Sequence, residues 1–160
     1  MTVPVDHGLV RLAAALVVPS DPDVLAAMLD RGGPDGWEEQ PGEHGQRRFA
    51  VDLRLRIGGE SVGLTTFRKA ALVDLGSRRL WSEGFVQEIG WRAAGAAPLF
   101  PVFSGDLRVG HQAMSITGLY APPGGVVGLV ADRALLHLAA TGTARWLLNE
   151  LHAAAGGQGG

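Results

Sequence analysis

The first 45 residues change from a strand pattern to a helix pattern. Residues 8–18 place apolar side chains on one face of an extended segment, which predicts a strand. Ser20 is a good N-cap for a short helix, and Gly32 begins the Gly-Gly-Pro sequence that ends it. Residues 34–45 indicate a turn or a second short helix. The apolar stripe of the first helix is Val24, Leu25, Met28 and Leu29.

From residue 46 the period of the pattern is two. Residues 46–57 alternate apolar and polar side chains, as in an antiparallel strand with one buried face. Gly58-Gly59 fits a two-residue hairpin turn, and a second strand over 62–75 has a bulge near Thr66 where the alternation slips. The pattern then predicts, in order, a turn at 76–79, a strand over 80–93, a short apolar run at 98–103, a turn at 104–106, a strand over 113–120 and the end of the sheet at 121–125.

The last predicted element is one long helix, from about residue 126 or 130 to residue 155. Its apolar side chains cover so much of the circumference that we expect the sheet to wrap it. One apolar arc comprises Leu129, Leu136, Ala140, Leu147, Leu151 and Ala154. A second comprises Leu135, Ala139, Gly142, Trp146 and Ala153.

This order predicts an α+β fold with a single antiparallel sheet. The sheet must cover its apolar face, and the long C-terminal helix is the only predicted element large enough to do so. A sheet curved around one helix leaves a space between them, which is a natural place for a small-molecule pocket.

Several segments also carry a family resemblance. They are Gly90-Trp91-Arg92-Ala93, the run from Leu99 to Leu107, the run from Gly118 to Gly124, and Gly128 with Asp132-Arg133 at the helix start. With the element order, they resemble the START-like or SRPBCC superfamily, and within it a branch of small, uncharacterised bacterial members. The superfamily includes lipid-transfer domains, Bet v 1-like proteins and polyketide cyclases and dehydrases. The resemblance implies a helix-grip fold, a curved sheet wrapped around a C-terminal helix, with short helices between the first two strands. The resemblance implies no catalytic residue in this sequence.

Composition narrows the function classes. The 160 residues suit one domain, expected over 1–155, with 156–160 as a flexible Gly-rich tail. A net charge of −2 argues against a nucleic-acid binder, and the absence of cysteine excludes disulfides and thiolate chemistry. The longest apolar run, Leu12 to Pro19, is too short to span a membrane, so we expect a cytoplasmic protein without stable membrane insertion.

The candidate ligand site is a set of apolar and aromatic side chains on the predicted strand faces and the long helix. Each could simply fill the core, which is the more frequent role position by position. Gln87 and Glu83 share the apolar face of the third predicted strand if its alternation holds. We expect the Glu83 side chain to be exposed to solvent. The Gln87 side chain could either contact a ligand or face solvent, because a buried polar group needs a partner. The predicted pocket-lining residues are Phe49, Phe67, Phe85, Gln87, Trp91, Phe103, Tyr120, Leu136 and Ala140.

Other chemistries have weaker support. The five histidines lack metal-ligand spacing, no serine sits in a nucleophile elbow, and no glycine-rich loop has a nucleotide fingerprint, so we predict no metal, no cofactor and no catalytic residue. Asp132 and Arg133 fit a helix start. The arginines at 48, 54 and 56 share a strand face that we interpret as solvated.

Three functional hypotheses follow. The first is a noncatalytic protein that binds or carries a hydrophobic small molecule, lipid- or polyketide-like, between sheet and helix. The second is a polyketide cyclase or dehydratase, a lyase-type enzyme, with Tyr120, Gln87 or His111 as acid–base candidates. The third is an interaction module that binds a partner protein. The partner could be a second copy of the chain, which would give a homodimer.

Overall fold

The computed structural model describes residues 9–57, 65–95, 102–121 and 133–156. The strands are β1 (Val10–Leu16), β2 (Glu38–Gln40), β3 (Arg47–Ile57), β4 (Thr65–Trp81), β5 (Gly84–Ala93), β6 (Val102–Val109) and β7 (Met114–Ala121). The helices are α1 (Pro22–Arg31) and α2 (Arg133–Gly156). All seven strands form one antiparallel sheet in the order β1-β7-β6-β5-β4-β3-β2. The predicted α+β architecture is confirmed.

Some predictions lie outside the described residues. These are the Gly58-Gly59 turn, residues 98–101 of the predicted apolar run, the sheet end at 122–125 and the helix start before residue 133. Gly156, which was expected to begin the tail, is the last residue of α2, and the rest of the tail is not described.

The period-two alternation puts the large apolar side chains on one face of the sheet, called the inner face below. Cross-strand pairs place Val51, Val73, Leu107 and Ile116 on it, and each is at least 96% buried. Helix α2 covers this face mainly against β1 and β3, with further contacts to β7, while α1 packs on α2 and β5. The hydrophobic core therefore lies between the inner face and the two helices.

Helix α2 buries one stripe of its surface. The buried residues include Ala140, Leu147 and Leu151, as the first predicted arc requires. The second arc is only partly covered, because Ala139, Gly142 and Trp146 are half-buried and Ala153 is exposed. The sheet therefore covers the second arc less than the first, and α2 keeps one side towards solvent.

Helix α1 begins one residue later than its predicted cap implies. Asp21, not Ser20, is the N-cap, because its carboxylate accepts hydrogen bonds from the backbone N–H groups of Asp23 at 3.0 Å and Val24 at 3.3 Å. The helix ends at Gly32 as expected, with the glycine at φ 127°. Val24, predicted in the apolar stripe, is exposed. Residues 34–45 contain the short strand β2 and no second helix.

The predicted turn at 76–79 is wrong, because β4 continues through it to Trp81. The β4–β5 register instead shifts between Leu75 and Arg78, so Gly76-Ser77 forms a bulge. Side chains of β5 satisfy its backbone: the Gln87 amide donates to the Gly76 carbonyl at 2.8 Å, and the Ser77 N–H donates to a Glu88 carboxylate oxygen at 3.2 Å. The bulge predicted near Thr66 is also wrong, since the β3–β4 register is continuous there.

The predicted turn at 104–106 is likewise wrong, because β6 runs unbroken through Gly105. Gly105 pairs with Gly118 of β7, and the Phe103 ring lies close to both glycines. A Cβ added at Gly105 would collide with the Thr117 carbonyl and come within 2.7 Å of the Phe103 ring. Glycine here serves the close approach of an aromatic ring and a neighbouring backbone.

We predict that Gly105→Ala lowers the free energy of unfolding by about 1–3 kcal/mol, because the added methyl group meets rigid backbone. Gly142→Ala is the matched control: its Cβ meets nothing within 4 Å, and alanine favours a helix interior by about 0.5–1 kcal/mol. Urea denaturation of both variants measures the two effects as midpoints that shift in opposite directions. Equal midpoints for Gly105→Ala and the parent chain would contradict the packing argument.

Candidate functional site

The structure brings most of the predicted pocket residues to the inner face and to the side of α2 that covers it. Six of them are buried on the sheet and Ala140 is buried on α2. Phe67 pairs with Leu55 in the β3–β4 ladder and Leu136 belongs to the first turn of α2, but the side chains of both lie outside the described part of the structure. The six sheet residues are Phe49, Phe85, Gln87, Trp91, Phe103 and Tyr120.

Three aromatic side chains form one row across neighbouring strands. Trp91 of β5 pairs with Phe103 of β6, which pairs with Tyr120 of β7. The Trp91 and Phe103 rings stack with centroids 4.0 Å apart and an interplanar angle of 19°. Each of the three side chains is 98% buried, so they form an enclosed aromatic surface rather than an exposed patch.

A polar contact links this aromatic row to α2. The Tyr120 hydroxyl lies 3.2 Å from Nδ1 of His137, and the tautomer of the imidazole decides which group donates. His137 itself is exposed, so the pair extends from the core to solvent. His137 was considered only as a possible metal ligand, so this pair was not predicted. The helical spacing of His137, Ala140 and Ala144 was the available signal.

Two buried polar atoms near this region lack hydrogen-bond partners among the described residues. They are the indole Nε1 of Trp91 on the inner face and the hydroxyl of Thr141, one turn after His137 on α2. An unpaired buried donor costs about 1–3 kcal/mol. Each of these atoms therefore leaves hydrogen-bonding capacity unused within the described structure.

Gln87 differs, because its polar atoms are used by the protein. Its side-chain oxygen accepts a hydrogen bond from Nε of Arg78 at 3.0 Å, and its amide nitrogen donates to the Gly76 carbonyl of the bulge. Gln87 is 98% buried, which excludes the solvent alternative for it, whereas Glu83 is exposed in a turn as expected. Gln87 fixes the bulge, and its contact with a ligand stays a prediction.

The three acid–base candidates of the enzyme hypothesis do not converge. His111 is exposed at the β6–β7 turn, whereas Tyr120 lies near the far end of β7. At about 3.3 Å per residue, their backbones are roughly 25–30 Å apart. Gln87 pairs with Leu107 between these two ends of the sheet. Tyr120 and His137 form the acid–base pair that the fold supplies instead.

The arginine face on β3 is not simply solvated. Arg48 is 91% buried, and its Nε and Nη2 donate hydrogen bonds to the two carboxylate oxygens of Asp74 at 2.7 and 3.1 Å. Its Nη1 lies 3.7 Å from a carboxylate oxygen of Glu43. The hydrogen bond that Arg48 donates to Asp74 raises the pKa of the Arg48 guanidinium. The solvated interpretation is wrong for Arg48, while the side chains of Arg54 and Arg56 lie outside the described residues.

Three cavities border described residues, and none of the three lies between the inner face and α2. One lies at the edge of β3, one on the outer face of β4, β5 and β6, and one between the N-terminus of α1 and the C-terminus of α2. Within the described ranges, no group of His, Asp or Glu side chains is arranged to hold a metal ion. Neither α1 nor the described length of α2 is both long and apolar enough to cross a membrane.

Comparison with solved structures identifies the architecture. The di-domain ARO/CYC BexL from the BE-7585A biosynthetic pathway superimposes on 94% of this chain with a TM-score of 0.54 and 9% sequence identity. The chain has a helix-grip fold. It spans about half of the neighbour, since the match covers 51% of that chain. No family model and no curated protein matches the sequence. The SRPBCC-like fold implied by the resemblance is thereby confirmed.

We predict that the native chain titrates its phenol above pH 10.0. Burial raises the pKa of Tyr120 from its ordinary value of 10.0, and Tyr120 is the chain's single tyrosine, so phenolate absorbance reports it alone. In denaturant the midpoint should return to about 10. Because the folded state keeps a proton that the unfolded state releases, stability falls as the pH rises past 10.0.

The control for this titration is His137→Ala. Since burial is the cause of the shift, the phenol of this variant should still titrate above 10.0. A native parent chain with its midpoint at 10.0 would show that the hydroxyl is solvated.

Proposed function

We propose that this chain binds a hydrophobic, oxygen-bearing small molecule, polyketide- or lipid-like, between the inner face of the sheet and α2. The observation that carries the proposal is the buried aromatic row formed by Trp91, Phe103 and Tyr120, with an unpaired indole N–H within it. Flat aromatic rings suit an apolar or aromatic ligand body. The N–H suits a carbonyl or hydroxyl oxygen.

The placement of the helices supports an interior site. Helix α2 lies mainly against β1 and β3, and the aromatic row is on the strands between them. The α2 residues above the sheet include Ala140 and Ala144, which take up little volume. The structural neighbour is named an ARO/CYC, which fits a polyketide-like ligand for this fold.

The first test is native mass spectrometry of freshly purified protein, followed by organic extraction. We expect a stoichiometric apolar passenger, or saturable binding of the neutral fluorescent probe N-phenyl-1-naphthylamine by the apo chain. The Trp91 indole N–H resonance should shift on binding. An apo mass together with no saturable probe binding would overturn the proposal.

The second test fills the proposed space. Ala140→Phe should abolish probe binding with little loss of stability, because the new ring occupies volume that the ligand otherwise takes. Ala153→Phe is the matched control on the exposed side of α2 and should bind the probe like the parent chain. If Ala140→Phe instead lowers the unfolding free energy by about 1–3 kcal/mol, the core is already close-packed there, and the proposed site is wrong.

A second candidate function rests on the Tyr120–His137 pair. A phenol within 3.2 Å of an imidazole nitrogen is an acid–base pair suited to moving a proton at a bound carbonyl, as a cyclase or dehydratase requires. Tyr120→Phe should then abolish turnover of a polyketide thioester while probe binding stays intact. Unchanged turnover in that variant, or none in the parent chain, would leave binding as the function.

A further inference from the structure

A separate cavity lies at the edge of the sheet, outside the proposed ligand site. Its volume is about 440 Å³, within the range of small-molecule pockets. Its lining residues come from the α1–β2 turn, β3 and α2: Asp35, Gly36, Trp37, Asp52, Trp146 and Glu150. Two indoles and three carboxylates therefore share one cavity, called the edge cavity below.

The edge cavity exists because β2 is short. Its ladder with β3 ends at the pair Glu38–Ala50, so Asp52 lies beyond it on an uncovered stretch of β3. Trp146 and Glu150 are one helical turn apart on α2, which places them on the same helix face beside this edge. Both are half-buried.

The indole of Trp37 is held in place by its neighbours. Its ring lies 5.6 Å from the ring of Phe49, and Gly33 packs so close that a Cβ there would be 2.7 Å from Trp37 Cε3. Its Nε1 is buried and has no hydrogen-bond partner among the described residues. Trp37 therefore gives the edge cavity one aromatic wall whose position is fixed by its neighbours.

The three carboxylates of the edge cavity are uncompensated. Neither Asp35, Asp52 nor Glu150 makes an ion pair or side-chain hydrogen bond with another described residue. Elsewhere in the described structure arginines hold five carboxylates, those of Asp30, Glu39, Glu43, Asp74 and Asp106. Three acidic residues without an ion pair therefore line the same cavity as two tryptophans.

We propose that the edge cavity binds an organic cation with a quaternary or methylated ammonium group. Indole faces attract such cations, and the surrounding carboxylates add long-range attraction. A bare metal ion fits poorly, because the carboxylates do not converge into a ligand group.

Choline is the probe, and 3,3-dimethylbutan-1-ol is its uncharged isostere with the same shape and hydroxyl. The chain has four tryptophans, so its indole N–H resonances in a ¹H–¹⁵N spectrum report each position separately. Choline should shift Trp37 and Trp146 saturably and leave Trp81 and Trp91 in place. The isostere should bind at least about tenfold more weakly, since it lacks the charge.

Variants separate the charges from the rings. Asp52→Asn and Glu150→Gln should each weaken choline binding about two- to fivefold, whereas Glu83→Gln, an exposed acid outside the edge cavity, should not. Trp146→Phe should also weaken binding, because phenylalanine is the poorer cation acceptor; Trp81→Phe is the matched control.

Three results would overturn this inference: no saturable shift of the Trp37 and Trp146 indoles, equal affinity for the isostere, or unchanged choline affinity in the Asp52→Asn, Glu150→Gln double variant. None of them bears on the interior site, which Trp91 reports. The two proposals can therefore be tested independently.

Discussion

The structure depends on covering the inner face of a seven-stranded sheet with one helix. The 24 residues of α2 span about 36 Å, enough to cross the sheet from β3 to β1. The small side chains of Ala140 and Ala144 and the leucines Leu147 and Leu151 are all buried on the covered side of α2. The aromatic row and the Tyr120–His137 contact follow from this crossing, and the proposed interior site depends on it.

Periodicity was enough to predict the elements that the helix covers. The alternation in β3 and the apolar stripe of α2 follow from the sequence because one buried face imposes a fixed spacing. Two of the errors fall at glycines. Residues 76–79 and 104–106 contain turn-forming residues, but Gln87 satisfies the first segment and the Phe103 ring lies over the second. Partners on neighbouring strands overrode local turn preference, and local pattern cannot identify them.

In the candidate site, too, the local sequence pattern could not identify hydrogen-bond partners. The inner-face aromatics could be chosen from strand alternation alone, yet their chemistry depends on which polar atoms find partners. Gln87 and Trp91 both lie buried on β5, but the atoms of Gln87 are paired within the bulge and the N–H of Trp91 is unpaired. The first side chain stabilises the sheet, while the second has capacity left for a ligand. That difference is set by the bulge, which the sequence pattern did not predict.

The acidic and aromatic residues of the edge cavity need an explanation. An acid such as Asp52 on an uncovered strand helps to prevent edge-to-edge pairing, so its charge has a structural use. That use does not extend to Glu150 on α2 or to the two tryptophans, which line the same cavity. The proposed cation would be attracted by the carboxylates and would cover the indoles at once. Protection of the strand edge explains one residue of the cavity, whereas cation binding explains the whole set.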